Sequence, residues 1–216
     1  MFDAVGTLIY PEPSVAQVYA ETGRRFGSNL TQAEVAERFR QAFRQHEQDD
    51  FAGSLQTSEE AEFARWRRIV GQVLVDVTDP ESCFDQLFEH FARSAAWRTF
   101  PDVPRALDQL VSRGHTVGIA SNFDERLLGI SRQLAPLDRC QFVLVSSQIG
   151  FRKPHRKFFE AIASHVGLPA DQILYVGDDR VNDLDGARTI GMPSVLVDRS
   201  GCCCAPSLRS LEELLA

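Results

Sequence analysis

From about residue 97 onward, short apolar runs alternate with helical patterns, and few architectures accept that order. The runs fall at 116–120, 141–146, 172–176 and 194–198. Helical patterns separate them near 103–113, 124–134, 155–166 and 182–190. Strands alternating with helices in this way build a parallel, doubly wound α/β sheet of Rossmann-like form. Asp102 is placed to cap the first of these helices and Gly114 to stop it. Residues 207–215 read as a closing amphipathic helix, with Leu208, Leu211, Leu214 and Leu215 on one face. Residues 1–10 supply a first strand, so 1–10 and 97–216 form one α/β core domain. That strand is short: Met1 and Phe2 alone precede Asp3, against about five residues in a usual strand.

Residues 11–96 carry almost no strand signal. Helices fit 14–26, 31–48, 58–76 and 80–96, with Pro80 at the start of the last. Phe39 and Phe43 are four apart, as are Phe84 and Phe88, and Phe91 follows Phe88 by three. Such spacing puts each set on one helix face and more often marks a bundle core than a ligand box. The stretch Arg65-Trp66-Arg67-Arg68 reads as a charged helix face around one buried Trp.

The formal charge of −7 argues against nucleic acid as a partner. No run approaches about 18 apolar residues, and no leader pattern opens the chain, so no membrane span or secretion is expected. Three of the five cysteines, Cys202, Cys203 and Cys204, are adjacent. Adjacent side chains point apart, which suits neither a disulfide framework nor a zinc site, and a reducing, cytoplasmic setting is expected. Of 23 basic residues only Lys153 and Lys157 are lysines, so a lysine in this chain stands out.

In parallel α/β sheets ligands bind beyond the carboxyl ends of the strands. Asp3, Ser121 and Asp178 each follow an apolar run, and Lys153 lies in a loop after another. All four can converge at one edge. Asp3 there can act as a nucleophile rather than a turn cap, forming an aspartyl phosphate that divides one hard displacement into two steps. Asp178, Asp179 and Asp183 open a helix, where acids commonly cap. Carboxylates also suit Mg²⁺, which takes one or two of them together with phosphate oxygens. Lys153 brings a compact charge to balance Asp3 and phosphoryl oxygens. Lys157 reads as surface, and the five histidines form no spaced ligand set.

These segments resemble the haloacid dehalogenase-like hydrolases in all four of their motifs: Asp3-Ala4-Val5-Gly6-Thr7-Leu8, Ser121-Asn122-Phe123-Asp124, Lys153-Pro154, and Gly177-Asp178-Asp179 with Asp183. Gly186-Ala187-Arg188 extends the likeness toward the rhythmically-expressed-gene-like subfamily of haloacid dehalogenase-like hydrolase domain proteins. The resemblance implies that residues 11–96 are an α-helical cap domain inserted after the first strand. It implies that Asp3, the Val5 backbone carbonyl and Asp178 bind Mg²⁺, supported by Asp183. It further implies that Ser121, Asn122 and Lys153 bind the phosphoryl group of a small phosphorylated metabolite.

The phosphatases of that superfamily carry a second Asp two residues beyond the first, where this chain has Val5. The second Asp protonates the leaving group and then activates water, general acid–base work of the kind typically worth ~10²–10⁴-fold. Asp179, Asp124 and His155 are the substitutes to consider. The leading expectation is a Mg²⁺-dependent hydrolase of a phosphate ester or anhydride, with weak or atypical activity. Phosphonate hydrolases need a cap lysine, and residues 11–96 contain none. A metal-independent 2-haloacid dehalogenase is disfavoured by Gly177-Asp178-Asp179, where those enzymes usually carry Ser or Asn. A non-catalytic phosphate binder is the remaining alternative.

Overall fold

The computed structural model describes residues 1–199, 201 and 207–215. The expected Cys202–Cys204 loop lies outside them. Four strands are named in the main sheet: β3 (Gly118–Ser121), β4 (Phe142–Val145), β5 (Tyr175–Gly177) and β6 (Ser194–Leu196). The pairs β3–β4 and β5–β6 are parallel. Phe2 joins them, bridging Ile119 on one side and Val176 on the other. The order across the sheet is therefore β4, β3, Phe2, β5, β6. The first strand is as short as the sequence suggests, yet it occupies the centre. Phe2 N–H donates to Gly118 O, and Asp3 N–H to Val176 O at 2.8 Å. The first residue beyond this central position is Asp3.

Both faces of the sheet are covered, as a parallel sheet requires. One face packs Leu107 of α5 (Val103–Ser112) and Leu127 and Ile130 of α6 (Arg126–Gln133). The other packs Phe158, Phe159 and Ile162 of α8 (Arg156–Val166) against Tyr175. Between β4 and α8 lies the single turn α7 (Ser146–Ile149). Gly114 ends α5 with φ +84°, as its placement predicts.

The chain leaves the core through β1 (Ile9–Pro11) and returns through β2 (Trp97–Thr99), an antiparallel ribbon pairing Ile9 with Thr99. Between them stand α1 (Val15–Arg25), α2 (Gln32–Ala52), α3 (Glu59–Val73) and α4 (Pro80–Ala92). Their starts are set by side-chain caps: Ser14, a Thr31–Glu34 capping box, Ser58, and Asp79 before Pro80. They share a separate apolar core around Val35, Ile69, Val73, Phe84 and Leu87. No helix among the described residues is long and apolar enough to cross a membrane.

Four expectations differ in detail. Asp102 makes no capping bond; its carboxylate instead accepts from the Arg199 guanidinium and the Leu211 N–H, tying α5 to the chain's end. In place of a helix over 182–190, Arg180–Asp185 winds as a π-helix and only Gly186–Arg188 as α9. Leu208 pairs with Val197 in extended form, so the closing helix is confined to a 3₁₀ segment, Leu211–Leu215. Within Arg65-Trp66-Arg67-Arg68, Arg65 is the buried residue and Trp66 is half-buried.

Candidate active site

Asp3 sits at the carboxyl edge of the sheet and is buried. Its Oδ1 accepts from Ser121 Oγ at 2.8 Å and from Lys153 Nζ at 2.6 Å. Among the described residues Oδ2 accepts no hydrogen bond, and Asp3 lines a cavity. Ser121 and Lys153 thus fix the carboxylate by one oxygen and leave the other available.

Lys153 Nζ also donates to Asp183 Oδ1 at 2.5 Å and to Tyr175 Oη at 3.0 Å. Burial is the largest single influence on this ammonium and pulls its pKa down. The carboxylates of Asp183 and Asp3 together outweigh it and hold Lys153 well above the usual lysine value. Tyr175 Oη in turn donates to Ala120 O at 2.6 Å, and burial raises its pKa well above the ordinary phenol range. Tyr175 was not singled out in the sequence, because a tyrosine inside an apolar strand reads as core.

Asp178 receives one hydrogen bond, from Thr7 Oγ1 at 2.9 Å. Asp178 is itself exposed, beside the buried carboxylates of Asp3 and Asp183. Partial desolvation of its carboxyl, then the nearby charges of Asp3 and Asp183, push it up to about 7. Asp183 is buried, and desolvation raises it to about 6 despite the pull of Lys153. Two glycines make room for these acids. A Cβ on Gly6, whose φ is +92°, would overlap the Asp178 carboxylate, and one on Gly177 would overlap that of Asp183.

Asp3, Asp178 and Asp183 each present a carboxylate oxygen, all within 4.8 Å of one another. Three carboxylates face one ammonium, and the surplus negative charge together with an all-oxygen donor set fits a hard divalent cation such as Mg²⁺.

The other predicted residues fall in different places. Asn122 turns its side chain to the Lys153 backbone: Oδ1 accepts from its N–H at 2.7 Å and Nδ2 donates to its C=O at 3.1 Å. Its side chain therefore positions the lysine. Val5 lines the cavity, is 37 % exposed, and offers no side-chain proton donor. Asp124 is locked by Arg126, whose Nε and Nη2 both donate to it at 2.7 Å. His155 caps α8 and stacks on Phe151, with ring centroids 4.5 Å apart. Asp179 accepts from the N–H groups of Val181 and Asn182, capping the π-helix. Lys157 is exposed, as expected, with Nζ over the Phe151 ring.

Above the site the helical insertion lines an open cavity of about 340 Å³. Phe39, Phe43, Trp66, Phe84 and Phe88 line it while also packing the insertion's core. The aromatic faces, read from their spacing as more often bundle core than ligand box, serve both. The insertion is pinned to the core near this cavity. Arg152 pairs with Glu62, and Gln56 bridges Phe151. Glu59 accepts from Ser147 Oγ and the Glu125 N–H.

Known proteins place this arrangement. A "Haloacid dehalogenase-like hydrolase domain-containing protein 3" of Xenopus laevis is 29% identical over 202 residues, covering 91% of this chain and 82% of its own. A 2-haloacid dehalogenase from Pseudomonas syringae shares the fold at a TM-score of 0.66 and 22% identity, covering 99% of this chain and 94% of that one. A HAD phosphatase from Thermococcus onnurineus does so at 0.60 and 21%, with the same coverage. The fold alone thus serves neighbours named for two chemistries. The family model described as haloacid dehalogenase-like hydrolase matches residues 1–191. With that match over most of its length, the chain belongs to the haloacid dehalogenase-like hydrolases.

Proposed function

We propose that this hydrolase acts on a small phosphate ester or anhydride, with Asp3 as nucleophile and Mg²⁺ as cofactor. The observation that carries the reading is the Asp3 carboxylate, held at Oδ1 by Ser121 and Lys153, with Oδ2 free at the cavity. An Asp3 oxygen attacks phosphorus as the bond to the leaving oxygen breaks, giving an aspartyl phosphate. Water then attacks the same phosphorus, releases phosphate and returns the carboxylate. Lys153 offsets the charge of Asp3, and Asn122 holds the loop that delivers it. Asp3, Asp178 and Asp183 would hold the Mg²⁺, which when bound neutralises phosphoryl oxygens.

Val5 supplies no proton to the leaving group. Substrates whose leaving group departs as a stable anion, acyl and aryl phosphates, suit such a site best. The test is hydrolysis of p-nitrophenyl phosphate with and without Mg²⁺, comparing wild type with Asp3→Asn. Metal-dependent turnover that disappears in Asp3→Asn supports the reading. Turnover that survives Asp3→Asn, or that ignores chelator, overturns it. Val5 is also the one observation favouring a second reading, a phosphate-binding protein without turnover. Phosphate-induced melting shifts without product would establish that one.

A further inference from the structure

One hydroxyl in the cavity wall has no partner. Tyr19 of α1 is 3 % exposed and lines the cavity beside Phe39 and Phe91, whose ring centroids lie 5.4 and 6.2 Å from its own. Its Oη makes no hydrogen bond among the described residues and is not sealed off, so it meets the cavity unpaired. A buried tyrosine hydroxyl usually finds a partner, because leaving it unpaired costs stability. Phenylalanine would fill the same ring space without that cost. Burial holds the Tyr19 pKa well above the ordinary phenol range, against the pull of the Arg126 guanidinium. The group is therefore a protonated phenol with a hydrogen to donate.

Its surroundings define what could accept that hydrogen. Phe39, Phe84, Leu87 and Phe91 share one apolar cluster with Tyr19 and also line the cavity. The cationic side chains of the wall already have carboxylates: Arg126 has Asp124, Arg152 has Glu62, and Arg65 has Asp50 at 3.1 Å. Glu47 lines the same cavity without an ion pair among the described residues, and its charge would repel an anion. What remains is a mostly hydrocarbon wall with one free neutral donor. In such a setting a ligand lacking the matching acceptor leaves the hydroxyl buried and unpaired, which is how a site tells near-isosteres apart.

We propose that Tyr19 is a specificity-determining residue, and that the ligand's body is a neutral, mostly apolar ring carrying one hydrogen-bond acceptor, such as a carbonyl, away from its phosphoryl end. This rests on the reading above for the phosphoryl group at Asp3 and assigns the other end of the substrate. It also agrees with Val5, since an aryl oxygen leaves without needing a proton.

The experiment measures binding without a phosphoryl group. Acetophenone and α-methylstyrene have nearly the same shape, and only the first carries a carbonyl oxygen. Wild type and Tyr19→Phe are titrated with each by NMR. The affinity ratio of acetophenone to α-methylstyrene should be about three- to tenfold higher in wild type than in Tyr19→Phe, the worth of one neutral hydrogen bond. A ratio unmoved by Tyr19→Phe, or failure of wild type to bind acetophenone, overturns the proposal. Because the hydroxyl has no partner in the free protein, Tyr19→Phe should melt no lower than wild type. A fall in Tm of more than about 3 °C would give the hydroxyl a structural partner and overturn the proposal as well. Mg²⁺-dependent turnover of p-nitrophenyl phosphate by wild type is followed alongside. A shifted ratio without turnover removes the phosphatase reading and leaves the Tyr19 subsite; turnover with an unmoved ratio does the reverse.

Discussion

Replacing Lys153 with Met should show how much of the site's order depends on one ammonium. Methionine keeps the length and apolar stem of lysine and removes only the charge and its donors. In the native protein Nζ lies 2.6 Å from Asp3 Oδ1 and 2.5 Å from Asp183 Oδ1, with all three side chains buried. Removing one partner from a buried ion pair costs about 3–5 kcal/mol, because the other charge is left uncompensated. For a chain of this size that is a fall in Tm of about 6–20 °C. The loss has a pH sign. Asp183 already sits above its ordinary carboxyl value, and without Lys153 it rises further. A carboxyl whose folded pKa is raised contributes stability below its unfolded value and loses it as pH rises through the folded one. The deficit should therefore be small at pH 4 and full at pH 8. Thermal melts of wild type and Lys153→Met in chelator across that range test this. A Tm difference at pH 8 of under about 2 °C, which is about 1 kcal/mol or less, would refute the reasoning.

Three further outcomes follow from the same geometry. Val5→Asp should raise turnover of an alkyl phosphate by about 10²–10⁴-fold and that of an aryl phosphate far less, since only the alkoxide needs a proton; equal gains on both would contradict the role given to Val5. Mg²⁺ should raise the melting temperature more at pH 8 than at pH 5, because protons compete for Asp178 at about 7 and Asp183 at about 6, and a pH-independent shift would place the ion elsewhere. Gly6→Ala puts a Cβ at φ +92° against the Asp178 carboxylate, and Mg²⁺ affinity by titration calorimetry should fall about tenfold or more; unchanged affinity would show that Asp178 does not hold the ion.

What the sequence displays of this site follows from how parallel sheets end. Asp3, Ser121 and Asp178 are each a polar step off an apolar run, and that step is visible without any coordinate. Lys153 is visible because lysine is rare in this chain. Other features have no local signature. Phe39 and Phe43 show helical spacing whether they fill a core or line a cavity, and here they do both. Arg65 and Trp66 differ by one step of helical phase, which periodicity alone resolves poorly, and the buried one is the arginine. Asp102 has the residue type of a cap, but a guanidinium far along the chain, Arg199, takes it. The π-helix over Arg180–Asp185 keeps the apolar period loosely enough to pass for an ordinary helix.

The pair Arg152-Lys153 shows why the insertion and the reaction site are hard to treat separately. Lys153 reaches into the floor, to Asp3 and Asp183, while Arg152 reaches the insertion at Glu62, with Asp50 3.5 Å from its Nε. The backbone between these two side chains is itself held twice. Leu55 O accepts from the Arg152 N–H at 2.8 Å, and Asn122 Oδ1 accepts from the Lys153 N–H at 2.7 Å. One loop thus fixes both the height of the cavity roof and the position of the ammonium under it. The roof of the cavity and the placement of the ammonium beneath it are in this way consequences of the same few bonds.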